Sequence, residues 1–165
     1  GMLAAKDYWF DNRIKRILVN IVMNLIPIDR KVDGVRQFSI DETLALCDAF
    51  MNYNNRNIIM FPEGTRGIPG EMGAFKIGAA KFAIQLNVPI LPALVVGSHK
   101  AWPKDKIFMR PTPIQIHILD PIYPEQFTQQ NVLGETREDN LDQAARNMTT
   151  ELENTIREKG KAFYG

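Results

Sequence analysis

The residues best suited to chemistry lie together in Phe61-Pro62-Glu63-Gly64-Thr65-Arg66, a loop leaving the C-terminal end of the apolar run Asn57-Ile58-Ile59-Met60-Phe61. That run is bounded by turn residues and reads as a strand buried on both faces. In open α/β sheets ligands collect just past the carboxyl ends of strands, so the loop stands where a binding site is expected. Arg66 offers a planar fork of donors matched to phosphate oxygens, Gly64 lets the backbone come close to a ligand, and Thr65 adds a hydroxyl donor. Glu63 needs a separate role, because a carboxylate repels phosphate: it either holds Arg66 in position or accepts a hydrogen bond from a substrate hydroxyl. Lys76, at the predicted start of the next helix, adds a second positive charge, and that helix's first amides add partial positive charge. Together these residues describe an anion site.

The elements that must hold this loop alternate helix and strand. Asp7 to Leu25 has Ile14, Ile17, Leu18, Ile21 and Leu25 on one face and Arg13, Lys15 and Arg16 on the other. This predicts an amphipathic helix, either packed on its own domain or lying on a membrane surface with Trp9 and Phe10 as anchors. Ile26-Pro27-Ile28-Asp29-Arg30 reads as a short strand that Pro27 confines to an edge or a strand start. Ser39 and Glu42 form a capping-box pattern for a helix from 40 to about 53, with Ile40, Leu44, Cys47 and Met51 on one stripe. Cys47 is therefore expected as a core thiol rather than a nucleophile. Asn54-Asn55-Arg56 breaks that helix. Phe75, Ala79, Phe82 and Leu86 set a further helix ended by Asn87, and Val88 to Val96 reads as a buried strand whose ladder bonds Pro89 and Pro92 limit. Ile114, Ile116 and Ile118 alternate with Gln115 and His117, the pattern of a half-exposed strand with His117 outward and solvated. Leu141, Ala145, Met148, Leu152 and Ile156 build a last helix, whose mixed charges from Glu135 to Lys159 read as a solvated face. The expected fold class is α/β, a largely parallel central sheet flanked by helices, in one domain over residues 1–165.

Composition narrows the function classes. At 165 residues with 45% hydrophobic side chains the chain can bury a core, and its formal charge of +1 gives no overall field favouring nucleic acid. The single cysteine excludes an internal disulfide and any multi-cysteine metal site, which favours a reducing, cytosolic address. The longest uncharged stretch near the start, Ile17 to Ile28, is shorter than the about 18–20 apolar residues a spanning helix needs. Asp7 and Asp11 interrupt any secretory signal, and Gly1 ahead of Met2 reads as a tag remnant.

Phe61-Pro62-Glu63-Gly64-Thr65-Arg66 resembles the signature of the glycerolipid acyltransferases, the 1-acylglycerol-3-phosphate acyltransferases and their relatives. Phe75-Lys76-x-Gly78-Ala79 resembles the family's Phe-Lys-x-Gly-Ala helix start, and Val88-Pro89-Ile90-Leu91-Pro92-Ala93 its Val-Pro-Ile-Val-Pro-Val strand. Ile28-Asp29-Arg30 resembles the end of its Gly-x-x-Phe-Ile-x-Arg block, with Pro27 for the aromatic residue and Asn24 for the glycine. The likeness covers residues 3 to 123. It implies that Glu63, Arg66 and Arg30 bind a glycerol phosphate, that the acceptor is lysophosphatidate or a similar lysolipid, and that acyl-CoA or an acyl carrier protein is co-substrate. It also implies a peripheral place at the cytosolic face of a membrane, and no metal or prosthetic group.

Family chemistry uses an Asn-His-x-x-x-x-Asp block ahead of these motifs, whose histidine removes the proton of the attacking hydroxyl. The two histidines here, His99 and His117, both follow the signature, and Lys104 and Ile122 stand where the aspartate would be. Leu3-Ala4-Ala5-Lys6 resembles the segment after that block, so the chain is expected to begin downstream of it. Three explanations stay open: a truncated sequence, a natural non-catalytic relative, or another group in place of the histidine. For the last, His99 in Gly97-Ser98-His99-Lys100 is the one candidate, set against an ordinary exposed loop residue. Gly67-x-x-Gly70-x-x-Gly73 has neither P-loop nor dinucleotide-binding spacing and reads as a flexible loop near the substrate.

Overall fold

The computed structural model describes residues 2–5, 25–28, 40–65, 71–101, 108, 110–129 and 136–164. The chain divides into two compact units, Gly1–Met60 and Phe61–Gly165. Most of the helix expected over Asp7–Leu25 lies outside the described residues, and Leu25 itself opens a strand.

In the first unit β1 (Met2–Ala5) pairs in parallel with β2 (Leu25–Ile28), Met2 opposite Leu25 and Ala5 opposite Ile28. Pro27 sits inside β2 opposite Ala4, and among the described residues β2 has this one neighbour, so the missing N–H leaves no second ladder short of a donor. Helix α1 (Ile40–Asn52) lies alongside β2, with Asp41 and Glu42 in its first turn, where they complement the helix dipole. It stops because Asn54 and Asn55 turn left-handed, with φ of 61° and 50°, a conformation asparagine tolerates better than most residues. The Arg56 amide then donates to Met51 O at 3.0 Å, and its guanidinium lies over the rings of Phe50 and Tyr53, 5.1 and 4.6 Å from their centroids.

Cys47 is fully buried on α1, as its place on the stripe predicts. Burial disfavours the thiolate and pushes the thiol pKa from 9.0 up to about 11. The run before the signature differs from expectation: Ile59 and Phe61 are exposed, so it is not a strand buried on both faces.

The second unit is built on α5 (Arg137–Tyr164). Thr136 caps it reciprocally with Asp139: the Thr136 hydroxyl accepts from Asp139 N–H at 3.2 Å, and the Asp139 carboxylate accepts from Thr136 N–H at 3.3 Å. Ala145, Met148, Leu152 and Ile156 recur at helical spacing and are buried against Ala80 and Ala83 of α2 (Gly78–Leu86), Leu94 of β3 (Ala93–Val96), and Ile122. Asn87 ends α2 in the left-handed conformation, φ 51° and ψ 49°. Lys81 of α2 meets Asp142 of α5 at 2.5 Å as an ion pair, the partner of an Asp142 oxygen that is otherwise shielded and outside hydrogen-bond geometry. Thr149, also buried, turns its hydroxyl back to Ala145 O at 2.7 Å.

β3 pairs with β4 (Gln115–Ile118) in antiparallel fashion, Ala93 opposite Ile118 and Val96 opposite Gln115. The pairing continues at Ile90 and Ile122 with the register shifted by one residue, because Leu119, Asp120 and Pro121 stand opposite Leu91 and Pro92, a bulge on the β4 side; the Pro92 carbonyl accepts from Leu119 N–H at 3.0 Å. Of the two pairs among the described residues, then, one is parallel and one antiparallel, where a largely parallel sheet was expected. The reason is the connection. Among the described residues β3 is followed by the short α3 (Ser98–Ala101), and Arg110 N–H returns to Ala101 O at 2.8 Å, bringing the chain back for antiparallel pairing rather than across for parallel pairing. The short α4 (Glu125–Thr128) follows and packs on α5.

β4 also faces the opposite way from its expected one. His117 pairs with Leu94 on the α5 side and stacks on Phe163 at 4.6 Å, while Ile116 and Ile118 are 64% and 66% exposed. Val95 shares that outer face, so the Val88–Val96 run is buried on one side only.

Two outcomes follow. A thiol reagent at pH 8 should leave native Cys47 unlabelled and label it once the chain unfolds. Because the folded pKa is the higher one, this group's stabilising contribution is complete below pH 9.0 and is lost as the pH rises towards about 11; fast labelling of native protein at pH 8 would contradict the burial. Met148→Ala, at the centre of the core, should destabilise by about 2–5 kcal/mol in denaturant titrations.

Candidate functional site

The signature folds as a tight turn in the second unit. Gly64 N–H donates to Phe61 O at 3.0 Å, with proline second and glycine fourth, the places those residues favour in the commonest turn type. The next carbonyl, Pro62 O, accepts from Lys76 N–H at 2.9 Å, so the backbone of Lys76 is fastened to the turn. Gly64 has φ +67°, and a Cβ there would lie 2.9 Å from Lys76 Nζ. The positive φ favours glycine, and the missing Cβ leaves the space in which the flexible lysine side chain crosses the turn. Lys76 thus carries its charge to Gly64, and it precedes the helix it was expected to start, since α2 begins two residues later. Ile77 at the N-cap of α2 supplies no side-chain cap.

Glu63 has a partner that neither of its expected roles included. Its Oε2 accepts from the backbone N–H of Gly73 at 2.8 Å. A Cβ on Gly73 would approach that oxygen to 2.9 Å, so this glycine too permits a close approach. Glu63 and Gly64 are half-buried, whereas Thr65 and Lys76 are exposed. Arg66 and Arg30 lie outside the described residues. His99 is half-buried in α3, and among the described residues no hydrogen bond or ion pair joins it to Glu63 or Lys76.

The loop after the signature is held from the far side by α5. Arg157 donates to Met72 O and Gly73 O, each at 3.2 Å, and its Nε donates to Glu153 Oε1 at 2.8 Å. Glu153 Oε2 accepts from Phe75 N–H at 3.1 Å. That backbone hydrogen bond, helped by Arg157, holds the Glu153 carboxyl below its ordinary pKa. These two residues correct the picture of a wholly solvated α5 face. The Glu153–Arg157 spacing is an ordinary helical ion pair, and nothing in the sequence marks it as facing a loop some eighty residues earlier.

Among the described residues no helix is long and apolar enough to cross a membrane. The protein-family model described as Acyltransferase matches residues 2–96. The chain is 40% identical over 103 residues to a 1-acyl-sn-glycerol-3-phosphate acyltransferase of Limnanthes douglasii, covering 62% of this chain and 35% of the relative. It is 39% identical over 110 residues to the 1-acyl-sn-glycerol-3-phosphate acyltransferase alpha of Mus musculus, covering 66% and 37%. The chain therefore spans little more than a third of the length of these relatives. The crystal structure of the 1-acyl-sn-glycerophosphate (LPA) acyltransferase PlsC from Thermotoga maritima shares its fold, with a TM-score of 0.60 at 19% identity over 98% of this chain and 55% of that one. Because the family match spans more than half of the chain and takes in the turn, its lysine brace and β3, the chain belongs to the Acyltransferase family.

Proposed function

We propose that this chain is the greater part of an acyltransferase domain of phospholipid biosynthesis, working at the cytosolic face of a membrane. In it a fatty acyl group passes from an acyl-CoA or acyl-carrier-protein thioester to the free hydroxyl of lysophosphatidate or a similar lysolipid. The hydroxyl loses its proton, its oxygen attacks the thioester carbonyl, the C–S bond breaks and a thiol leaves. The complete domain in this reading is a single one, with a largely parallel sheet flanked by helices to which the parallel β1–β2 pair belongs.

The observation that carries the reading is the Lys76 ammonium lying across Gly64 at the Phe61–Gly64 turn. A positive charge fixed by backbone over a glycine is a phosphate site in outline, and Arg66, next along the chain from Thr65, adds the bidentate fork. Thr65 contributes a hydroxyl, Arg30 a further charge, and Glu63 a carboxylate aimed by the Gly73 amide towards a hydroxyl of the glycerol. The family names of the relatives agree with this substrate class.

A second reading, a non-catalytic module that binds a phosphorylated lipid through Arg66, Arg30 and Lys76, is favoured by one fact: these 165 residues contain no Asn-His-x-x-x-x-Asp segment, and His99 lacks the aspartate. Acyl-CoA-dependent conversion of lysophosphatidate separates the two. A full chain that carries such a segment upstream should turn over, and the 165 residues alone should not; turnover by the 165 residues would overturn the assignment of the base. Under either reading Arg66→Ala should weaken glycerol 3-phosphate binding by about 1.5–3 kcal/mol, roughly 10- to 150-fold. Unchanged affinity in a calorimetric titration would remove Arg66 from the site.

A further inference from the structure

We infer that Arg157 and Glu153 of α5 are positioning residues for Glu63, acting through the peptide unit that joins Met72 to Gly73. The inference rests on the proposed role of Glu63 at the acceptor site.

The Met72 carbonyl and the Gly73 N–H belong to one planar peptide group. No described peptide is cis, so the oxygen and the hydrogen lie in that plane and point in opposite directions across the C–N bond. On one side Arg157 donates to Met72 O at 3.2 Å; on the other Gly73 N–H donates to Glu63 Oε2 at 2.8 Å. Fixing the carbonyl towards α5 therefore aims the N–H at the carboxylate. Two further bonds stop the plane from rolling: Arg157 to Gly73 O at 3.2 Å, and Phe75 N–H to Glu153 Oε2 at 3.1 Å. The Glu153–Arg157 pair, 2.8 Å apart, holds both side chains in register on one helix face. A guanidinium on the carbonyl also polarises the amide and strengthens its N–H as a donor, since hydrogen bonds in a chain reinforce one another.

Without this hold the loop would still reach Pro62 O through Lys76 N–H, at 2.9 Å. The turn would persist, and what would be lost is the direction of one donor. A purely structural clamp and a positioning device thus predict different things.

The test combines two readouts in the full chain. The first is the amide signal of Gly73 by NMR. Glu63→Gln should shift it upfield and speed its exchange with solvent, and Arg157→Met, which keeps the apolar stem, should do the same although it does not touch that hydrogen. Arg157→Lys, which retains a donor, should restore part of the shift, and serves if the methionine variant is poorly folded. The second readout is glycerol 3-phosphate affinity in a double-mutant cycle. Arg157→Met alone should weaken binding by about 3- to 10-fold, with no further loss when Glu63 is already glutamine. A Gly73 amide unmoved by both Arg157 variants overturns the inference, as does a loss of affinity of equal size in both Glu63 backgrounds. A Gly73 amide that responds, in a protein whose affinity does not depend on Glu63, keeps the positioning and overturns the ligand role of Glu63 instead.

Discussion

The second unit is assembled against one stripe of α5. Ala145, Met148, Leu152 and Ile156 form a continuous apolar line, and α2, β3 and the Ile122 segment bury their own apolar residues on it because no other described surface of this unit offers a comparable length. The order of events around the signature follows from that burial. Setting α2 on the stripe fixes where α2 begins, and that places Lys76 within reach of Pro62 O and Gly64. Setting β3 there decides which face of β4 turns inward, so His117 meets Leu94 and Phe163 while Ile116 and Ile118 are left outside. Polar groups at the edge of the stripe then reach what the stripe itself does not cover, as Arg157 and Glu153 do at residues 72–75.

Around Gly64 the charges are arranged so that a carboxylate and an anion site can coexist. Glu63 would oppose a phosphate if its charge were unscreened, but one of its oxygens is occupied by a backbone amide, which draws the carboxylate to the Gly73 side of the turn. Lys76 has no ion-pair partner among the described residues, so its charge is not cancelled by Glu63. The two charges are directed differently, the Glu63 carboxylate by the Gly73 amide and the Lys76 side chain by the backbone bond that fastens its residue to Pro62 O. That arrangement is helped by glycine at Gly64 and Gly73, since a methyl group at either would make the charged end of the side chain crossing it shift.

Much of this was legible in the residues, and the parts that were not share a cause. The α5 stripe, the end of α2 at Asn87 and the break at Asn54-Asn55 are decided within a few residues, by periodicity and by the tolerance of asparagine for left-handed backbone. The turn at Pro62–Gly64 is equally local. By contrast, the alternation in Ile114–Ile118 fixes that the strand has two different faces but not which one a helix covers; that depends on register with Leu94. Strand direction was misread for the same kind of reason. Helix and strand alternate along the chain, yet the backbone bond from Arg110 to Ala101 that marks the return, among the described residues, has no sequence signature. Arg30 and Arg66, the two arginines of the expected site, lie outside the described residues, and the charges described around the turn are those of Glu63 and Lys76.

The boundary of the family match bears on what a motif can encode. It ends at Val96, the last residue of β3, whereas Glu153 and Arg157 stand far beyond it. Within the matched region the turn closes on itself: Gly64 to Phe61, Lys76 to Pro62, and the lysine over the glycine all join residues of the two matching blocks. The direction of the Glu63 carboxylate is different, because the amide that sets it comes from the intervening loop and is oriented from α5. A chain can therefore keep the whole signature and still differ in how that carboxylate is held. The turn and the lysine over its glycine are carried by the motif, while the aim of the acid beside them is a property of the tertiary structure.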